Sequence, residues 1–197
     1  MCGRFYVDEE TAKDIERIVQ KIDRQLWKTG DVHPSDHAFV LHQSPKGIIA
    51  EQQKWGYTSQ YGNSLVFNSR SETVQEKPMF RSDFEKHRCI VPAKKFYEWQ
   101  KLPPKSKQKY EFFSDSVSLY LARIYRKTEE GDQFSILTKA ADGCMVGIHD
   151  RMPLILPEEN IGPWLSSDEA AAQLLQYRFE PLIRAKSVEG YEQLSLF

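Results

Sequence analysis

Short strand-forming runs make up most of this chain, and this pattern limits the folds that it can adopt. The runs are rich in β-branched and aromatic residues, and turn-forming residues separate most of them. Only a few segments have helical periodicity. Many strands with few helices are typical of the α+β class, so we expect a β-rich, strongly curved sheet or partial barrel with peripheral helices. The expected strands are 38–42, 47–55, 64–68, 89–91, 96–100, 110–113, 118–125 and 133–138.

The helical segments are few and are expected at the edges of the sheet. Apolar residues at helical spacing follow an acidic first turn in 8–27, which predicts an amphipathic helix. Further helices are expected at 83–88 and 167–177, and Pro157 suits the first turn of a short one before Trp164. The segment 101–109 combines two prolines with several lysines and predicts a hairpin loop.

Length and composition favour a single globular domain over residues 1–190, because 197 residues with 40% apolar content can bury one sizeable core. A net charge of −1 argues against broad, nonspecific affinity for nucleic acid, although a local basic cleft stays open. Three cysteines without paired spacing favour a reducing compartment. No run resembles a signal peptide or a membrane span, so we expect a monomer in the cytoplasm or a nucleoid inside it, without membrane contact.

Cys2 is the first candidate for chemistry. If the initiator methionine is removed, this residue carries a terminal amine and a thiol on adjacent carbons. A terminal amine has a pKa of about 7.7–8.0, against about 10.4 for lysine, so far more of it is unprotonated near neutral pH. Amines form Schiff bases with aldehydes. The neighbouring thiol can then attack the imine and close a five-membered thiazolidine ring, which makes the link durable.

Glu98 and His149 are the candidates for the proton transfers that this chemistry needs. Glu98 stands between Tyr97 and Trp99, whose rings could desolvate the carboxyl group and raise its pKa. Histidine titrates near the working pH and can act as acid or base. An exposed strand carboxylate and a capping or core histidine are the simpler alternatives, and the sequence leaves both open.

Asn68 and Arg70 lie two residues apart, so an extended backbone would place them on one face. An asparagine amide can bond an amine or a sugar oxygen, and an arginine fork suits phosphate. A strand end that passes into a helix capped by Ser69 or Ser71 is the alternative, and both descriptions are compatible.

Six segments, in order along the chain, resemble those of the SRAP family, whose members sense abasic sites in DNA and crosslink to them. The segments are "MCGRF", "WGY", "NSRSET", "RCIVPAKKFYEW", "SILTKAA" and "IHDRMPLIL", and the resemblance extends from Cys2 to about Glu189. It implies that single-stranded DNA with an abasic site is the partner. It also implies that the N-terminal cysteine forms a thiazolidine with the ring-opened sugar and thereby shields the lesion from strand cleavage. No metal and no cofactor are expected.

The resemblance also implies roles for individual residues. Cys2 matches the nucleophile, Asn68 the asparagine that orients the amine and sugar, Glu98 the acid/base, and His149 the histidine that assists proton transfer and reversal. DNA contacts are implied for Arg4, Arg70 and Arg151 at phosphates, for Pro34 and Trp55 beside or stacked on bases, and for Thr138 in the same pocket. Two departures from the family pattern, Lys95 for a frequent glycine and Asp31 for the usual asparagine, leave the loop near Glu98 and the Asp31 contact open.

The last five residues, "QLSLF", resemble the peptide by which bacterial replication and repair proteins dock onto the β sliding clamp. The anchors would be Gln193, Leu194, Leu196 and Phe197, in a tail that spans 191–197. Exposed apolar side chains are unusual at a chain end, which is commonly polar. A last strand packed on the protein's own core is the alternative.

Two other functions compete with this interpretation. An N-terminal cysteine whose amine serves as base would suit a peptidase or amidohydrolase, including one that removes its own Met1, although no clear oxyanion motif is present. A metal site of Cys2, Cys89, Cys144 and His149 lacks the close spacing of common zinc sites. We expect Cys89 and Cys144 to be buried core residues.

Overall fold

The computed structural model describes residues 2–19, 22–23, 25–58, 64–115, 118–178 and 184–193. The strands of this part are β1 (Phe5–Val7), β2 (Gly30–Val32), β3 (His37–Ser44), β4 (Gly47–Trp55), β5 (Tyr57–Thr58), β6 (Leu65–Val66), β7 (Asn68–Arg70), β8 (Arg88–Ala93), β9 (Lys95–Leu102), β10 (Ser106–Phe113), β11 (Leu119–Arg126), β12 (Gln133–Ala140), β13 (Arg151–Pro153), β14 (Ile155–Leu156) and β15 (Arg184–Gln193). The helices are α1 (Glu9–Ile18), α2 (Pro78–Lys86), α3 (Ile161–Ser166) and α4 (Asp168–Leu174).

Five strands pair in a closed ring. β12 lies parallel to β4, and the antiparallel pairs β4–β3, β3–β8, β8–β11 and β11–β12 complete the circuit. β7 and β13 pair with β12, and β14 pairs with β11, so all three extend the ring at its rim. The α+β class with a strongly curved sheet or partial barrel is therefore confirmed.

A second sheet carries the start of the chain in its interior. Its strand order is β15-β10-β9-β1-β2, and Phe5 of β1 lies opposite both Val32 and Phe96. Because β1 has a neighbour on each side, the backbone just after Cys2 is held by two ladders of hydrogen bonds. The residue expected to be the nucleophile thus enters the fold at a fixed position.

Adjacent residues of β8 and β11 face two different cores, as the pleat of a strand requires. Ile90 and Ala122 pack in the cluster that contains the helices, whereas Cys89 and Leu121 pack in the cluster that contains the second sheet. Both strands are therefore buried on both faces, which explains their almost continuous apolar sequences.

The helices begin where capping chemistry allows. Asp8 and Thr11 form a capping box at the start of α1, with the Thr11 N–H donating to Oδ1 of Asp8 at 2.8 Å. α1 ends at Ile18, so the expected helix over 8–27 was too long. α2 begins at Pro78 rather than at the expected residue 83, because proline suits the first turn of a helix. α4 falls within the expected segment 167–177. The expected short helix opens as the 3₁₀ turn Glu158–Asn160 after Pro157, and α3 follows from Ile161 to Ser166, two residues beyond the expected end at Trp164. Among the described residues no helix is long and apolar enough to cross a membrane.

The hairpin between β9 and β10 is tighter than the loop expected over 101–109. Its strands stay paired from Lys95 opposite Phe113 to Leu102 opposite Ser106, so only 103–105 form the turn. Lys95 is a regular strand residue, and its Nζ lies 2.7 Å from Oε1 of Glu111. The family departure at this position therefore leaves the backbone near Glu98 regular.

The final described strand, β15, pairs with β10 from Arg184 opposite Phe113 to Gln193 opposite Ser106. It crosses the expected domain boundary at residue 190. The backbone of Gln193 thus belongs to the second sheet, while Leu194, Leu196 and Phe197 lie outside the described residues.

Candidate active site

Cys2 is fully buried, and both its thiol and its backbone carbonyl have partners. Its thiol points to the carbonyl oxygen of Arg4 at 3.8 Å, and its own carbonyl accepts a hydrogen bond from Nδ2 of Asn68 at 3.0 Å. Burial, with a smaller contribution from the Glu98 carboxylate, raises the pKa of the Cys2 thiol to about 12, while Arg123 acts in the opposite direction. The thiol is therefore protonated at neutral pH in this structure.

Asn68 reaches Cys2 because β7 runs beside β12. The parallel register places Asn68 opposite Ile136 and Arg70 opposite Thr138. Ser69, between them, is buried and donates to the carbonyl oxygen of Ile136 at 3.5 Å. Asn68 and Arg70 therefore share the face away from this buried serine, as the sequence predicts.

The capped-helix alternative for this segment is only partly right. The strand passes into a single 3₁₀ turn, Ser71–Thr73, and its N-cap residue, Arg70, makes no side-chain capping bond. The predicted strand is the part that accounts for the positions of Asn68 and Arg70.

Glu98 and His149 lie close together, although 51 residues separate them in the sequence. Oε2 of Glu98 is 3.9 Å from Nε2 of His149, and Glu98 is only 3% exposed. Nδ1 of His149 lies 3.0 Å from the backbone nitrogen of Arg151 and 3.2 Å from its carbonyl oxygen, so the backbone of Arg151 holds the ring with Nε2 toward Glu98. The alternative of an exposed strand carboxylate is therefore wrong for Glu98.

Arg151 is already engaged within the protein. Its guanidinium makes a two-pronged ion pair with Glu72, at 2.6 and 2.8 Å, and also donates to the carbonyl oxygen of Thr138 at 2.6 Å. These bonds hold the pKa of Glu72 at about 2, well below its ordinary value. The fork of Arg151 thus fixes the backbone next to His149 and is partly neutralised toward any phosphate.

Arg4 also has an acidic partner within the protein, whereas Arg70 has none among the described residues. Nη1 of Arg4 lies 3.7 Å from Oδ2 of Asp31, and its guanidinium covers the Trp99 ring at 5.2 Å. Asp31, the second family departure, therefore contacts an arginine of its own chain. Arg70 is exposed and has no ion-pair partner among the described residues, so it is the most accessible cation of the three predicted phosphate contacts.

A groove of about 450 Å³ lies beside Asn68 and Arg70. Thr138 lies at its floor, fully buried, with its hydroxyl donating to the carbonyl oxygen of Ser69 at 3.2 Å. Lys77, Pro78 and Met79, at the start of α2, form the opposite wall. Sequence reasoning missed this side of the groove, although Pro78 was a signal that could have located it, because proline suits the first turn of a helix.

Trp55 does not occupy the position expected of a base-stacking residue. Its ring has no exposed surface, lies between Phe5 and Phe134 at centroid distances of 5.1 and 6.2 Å, and donates to the carbonyl oxygen of Phe67. A fully packed ring cannot stack on a base, so this expectation was wrong. Trp99, half-buried under Arg4, is the tryptophan at the rim of the site.

A backbone hydrogen bond joins the turn that contains Pro34 to Trp55. Ser35 has φ of +80° and donates its N–H to the carbonyl oxygen of Trp55 at 2.8 Å, and Pro34 beside it is half-buried. Gly56, which follows Trp55, has φ of +112°, and a Cβ there would lie 2.4 Å from Cγ of Leu65. Only glycine fits this place in "WGY".

The other two cysteines lie apart from this chemistry. Cys89 is buried, as expected, whereas Cys144 is exposed in the 3₁₀ turn Gly143–Met145, so the prediction of a core position for it was wrong. Within the described ranges, no group of three or more histidine, cysteine, aspartate or glutamate side chains is close enough to hold a metal ion.

Comparison with known proteins places this geometry in context. The family model for the SOS response associated peptidase (SRAP) matches residues 1–192. Abasic site processing protein YoqW of Bacillus subtilis (strain 168) is 34% identical over 214 residues, which cover 100% of this chain and 93% of that protein. Abasic site processing protein YedK of Escherichia coli (strain K12) is 27% identical over 180 residues, which cover 85% of this chain and 81% of that protein.

The fold also has a close counterpart among solved structures. A crystal structure of a phage-related protein from Bordetella bronchiseptica superimposes with a TM-score of 0.80 at 23% identity, over 96% of this chain and 95% of that one. This similarity shows a shared fold.

Proposed function

Because the chain belongs to the SRAP family, we propose that it processes abasic sites in single-stranded DNA and binds them covalently through Cys2 once Met1 is removed. The observation that carries the proposal is the bond between Nδ2 of Asn68 and the carbonyl of Cys2, which orients the chain start beside the Glu98–His149 pair. The names of the curated relatives supply the substrate class.

The proposed reaction has two covalent steps. The freed amine of Cys2 adds to the aldehyde of the ring-opened deoxyribose, and loss of one water gives an imine. The thiol then attacks the imine carbon. The S–H proton passes to Glu98, an S–C bond forms, and the π electrons of the C=N bond return to nitrogen. The nitrogen then takes the proton from Glu98, which gives a neutral thiazolidine and restores the carboxylate.

Glu98 and His149 are the proton carriers in this scheme. Glu98 acts on the Cys2 thiol electrostatically, and its carboxylate also faces Nε2 of His149 at 3.9 Å. A proton can thus move between the reacting atoms and the half-buried imidazole, which exchanges with solvent. The histidine would assist both formation of the link and its reversal.

DNA would be held mainly through phosphate contacts, which carry no sequence preference. We assign the principal contact to Arg70, because it is exposed and has no ion pair in the described structure. Arg151 would instead position His149, because Glu72 already holds its guanidinium. Arg4 over Trp99 and Pro34 in its turn would border the strand on the other side.

The test is intact mass spectrometry after incubation with a single-stranded oligonucleotide that carries one abasic site. The expected product is the chain without Met1 plus the oligonucleotide minus one water. An oligonucleotide with all bases intact should give no adduct. Cys2→Ser keeps the amine and should give only an imine that survives denaturation after borohydride reduction. An adduct that maps to another residue, or an active chain that retains Met1, contradicts the proposal.

A peptidase activity is the second candidate, and the family description favours it. Its simplest form is removal of Met1 by the protein itself, which would expose the amine that the first proposal needs. Expression of Glu98→Gln tests it: retention of Met1 in this variant, but not in wild type, would support self-processing. Equal removal of Met1 from both proteins would assign the step to another enzyme.

We further propose that the C-terminal "QLSLF" docks a monomer of this protein onto a β sliding clamp. The backbone of Gln193 ends β15 opposite Ser106, and the other four residues of the peptide lie outside the described structure. Calorimetry of clamp binding before and after deletion of residues 194–197 tests the idea. Unchanged affinity after deletion would refute it.

A further inference from the structure

Arg123 is an arginine buried in the core of the protein. The residue is 0% exposed, and none of its three guanidinium nitrogens has a hydrogen-bond partner in the described structure. A buried charge without a partner is among the most costly groups in a protein core. Such a residue therefore needs a physical account beyond packing.

Aromatic rings surround the guanidinium in place of polar partners. Its central carbon lies 4.5 Å from the ring centroid of Phe134, 4.7 Å from that of Phe5 and 5.5 Å from that of Trp55. Each ring face attracts a cation, and the attraction is strongest where water is excluded. The rings hold the charge in place without neutralising it, so its field acts on whatever else lies in this core.

The reactive thiol lies in that core. Strand alternation on β11 turns Arg123 to the same side as Leu121, which is the side of the cluster that contains Cys2, Phe5 and Cys89. The register of β11 and β8 sets Arg123 opposite Cys89. Phe5, under the guanidinium, follows Cys2 by three residues.

The charges that face Cys2 come from different elements and act in opposite directions. The Glu98 carboxylate on β9 raises the pKa of Cys2 beyond the effect of burial, and Arg123 on β11 lowers it. Burial lowers the pKa of Arg123 to about 9, and the two thiols, Cys2 and Cys89, oppose that decrease. The guanidinium consequently stays charged at neutral pH. The positively charged chain terminus also lowers the pKa of Cys2, whereas the amide of Asn68 and the carbonyl of Arg4 are neutral.

We propose that Arg123 is a positioning residue whose buried charge stabilises negative charge on the sulfur of Cys2 when this atom closes the ring. The inference rests on the proposed function and adds a residue that neither the sequence motifs nor the site geometry had assigned. Arg123 gives and takes no proton. When the S–H bond breaks, the proton goes to Glu98, which becomes neutral, and the cation stabilises the negative charge that develops on the sulfur before the S–C bond forms.

The first test measures the thiol without DNA. Chain lacking Met1 is alkylated with iodoacetamide across a pH series, and the modification of Cys2 is quantified by peptide mass spectrometry, with exposed Cys144 as an internal reference for the reagent. Arg123→Met should raise the apparent pKa of Cys2 by about one unit or more, so alkylation at a fixed pH slows about tenfold. Arg123→Lys should keep most of the wild-type profile.

The control variant is Arg126→Met on the same strand. Its guanidinium pairs with Asp83 at 2.8 Å and covers the Tyr57 ring, so it belongs to the helix side of the barrel. This variant should leave the pH profile of Cys2 unchanged. If Arg123→Met does not fold, the comparison of Arg123→Lys with neutral Arg123→Gln decides the same question.

The second test separates ring closure from imine formation. With abasic DNA, Arg123→Met should still form an imine that borohydride traps, while the denaturation-resistant link appears about tenfold more slowly. An unchanged alkylation profile in folded Arg123→Met would overturn the inference and leave Arg123 as a packing residue. A wild-type protein that shows the profile but never links to DNA would instead refute the proposed function.

Discussion

Replacement of Asn68 by alanine is the sharpest perturbation of the site, because it removes a single hydrogen bond to the residue that would react. The bond joins Nδ2 of Asn68 to the carbonyl oxygen of Cys2 at 3.0 Å, and Cys2 is fully buried. Loss of a neutral bond that leaves a buried carbonyl without a donor costs about 1–3 kcal/mol. If that cost appears in the transition state for imine formation, the crosslinking rate falls about 5–150-fold.

The assay is the single-turnover rate of crosslinking with excess protein over a labelled abasic-site oligonucleotide, followed on denaturing gels. Asn68→Ala should lower this rate while its noncovalent affinity, measured by fluorescence anisotropy on intact-base DNA, changes little. Asn68→Asp should be at least as slow, since a carboxylate cannot donate to the Cys2 carbonyl and adds a negative charge near the thiol.

The matched control is Asn160→Ala, because Asn160 precedes α3 without a side-chain capping bond. This variant should crosslink at the wild-type rate. A wild-type rate for Asn68→Ala, or an equal loss for both alanine variants, would refute the reasoning that the 3.0 Å bond positions the reacting amine.

Three further predictions test other parts of the structure. Arg70→Glu should weaken noncovalent binding to single-stranded DNA and reduce the slope of log affinity against log salt by about 1, and a salt titration of Arg81→Glu, on the outer side of α2, serves as the comparison. Glu72→Gln should lower the free energy of unfolding at neutral pH by no more than about 1 kcal/mol, because solvent screens the half-exposed ion pair with Arg151. The pKa of Glu72 is depressed to about 2, so the contribution of this pair to stability is lost as the pH falls from about 4.5 toward about 2. Urea unfolding of both proteins at several pH values should show the difference between them vanish in that range. Trp55→Ala should destabilise the fold by about 3–5 kcal/mol, and the protein that remains folded should bind DNA with unchanged affinity. Trp99→Ala should leave the stability unchanged and weaken DNA binding. The reverse pattern would show that Trp55, and not Trp99, contacts DNA.

Local patterns were sufficient for the strands of the barrel. The expected strand 47–55 matches β4 at both ends, and the expected strands 38–42 and 133–138 lie inside β3 and β12. Apolar residues in these strands alternate with polar ones or form continuous runs, because the strands face a core on one or both sides. Each short segment therefore shows this pattern without reference to the rest of the chain. The same reasoning missed β1 and β2, which have three residues each and acquire strand structure from their neighbours.

In the hairpin of β9 and β10, the sequence predicted a longer loop than the structure contains. Lysines and prolines in 101–109 are typical of a loop, yet β10 begins at Ser106 because pairing with β9 and β15 outweighs the polar composition. Strand propensity measures how well side chains fit neighbouring strands, so a segment read without its partners is easily misassigned.

Four residues of the site were available from the sequence, since Cys2, Asn68, Glu98 and His149 stand in short motifs whose chemistry can be recognised locally. Whether such residues meet depends on contacts between segments far apart in the chain, and the register of β7 on β12 and the pairing of β1 with β9 provide them. Burial is decided in the same way: Trp55 lies in the core and Cys144 at the surface, and Arg123 is a charge near Cys2 that has no hydrogen-bond partner among the described residues. A side chain's own chemistry is a local property of the sequence, whereas its exposure and its electric field depend on everything that packs around it.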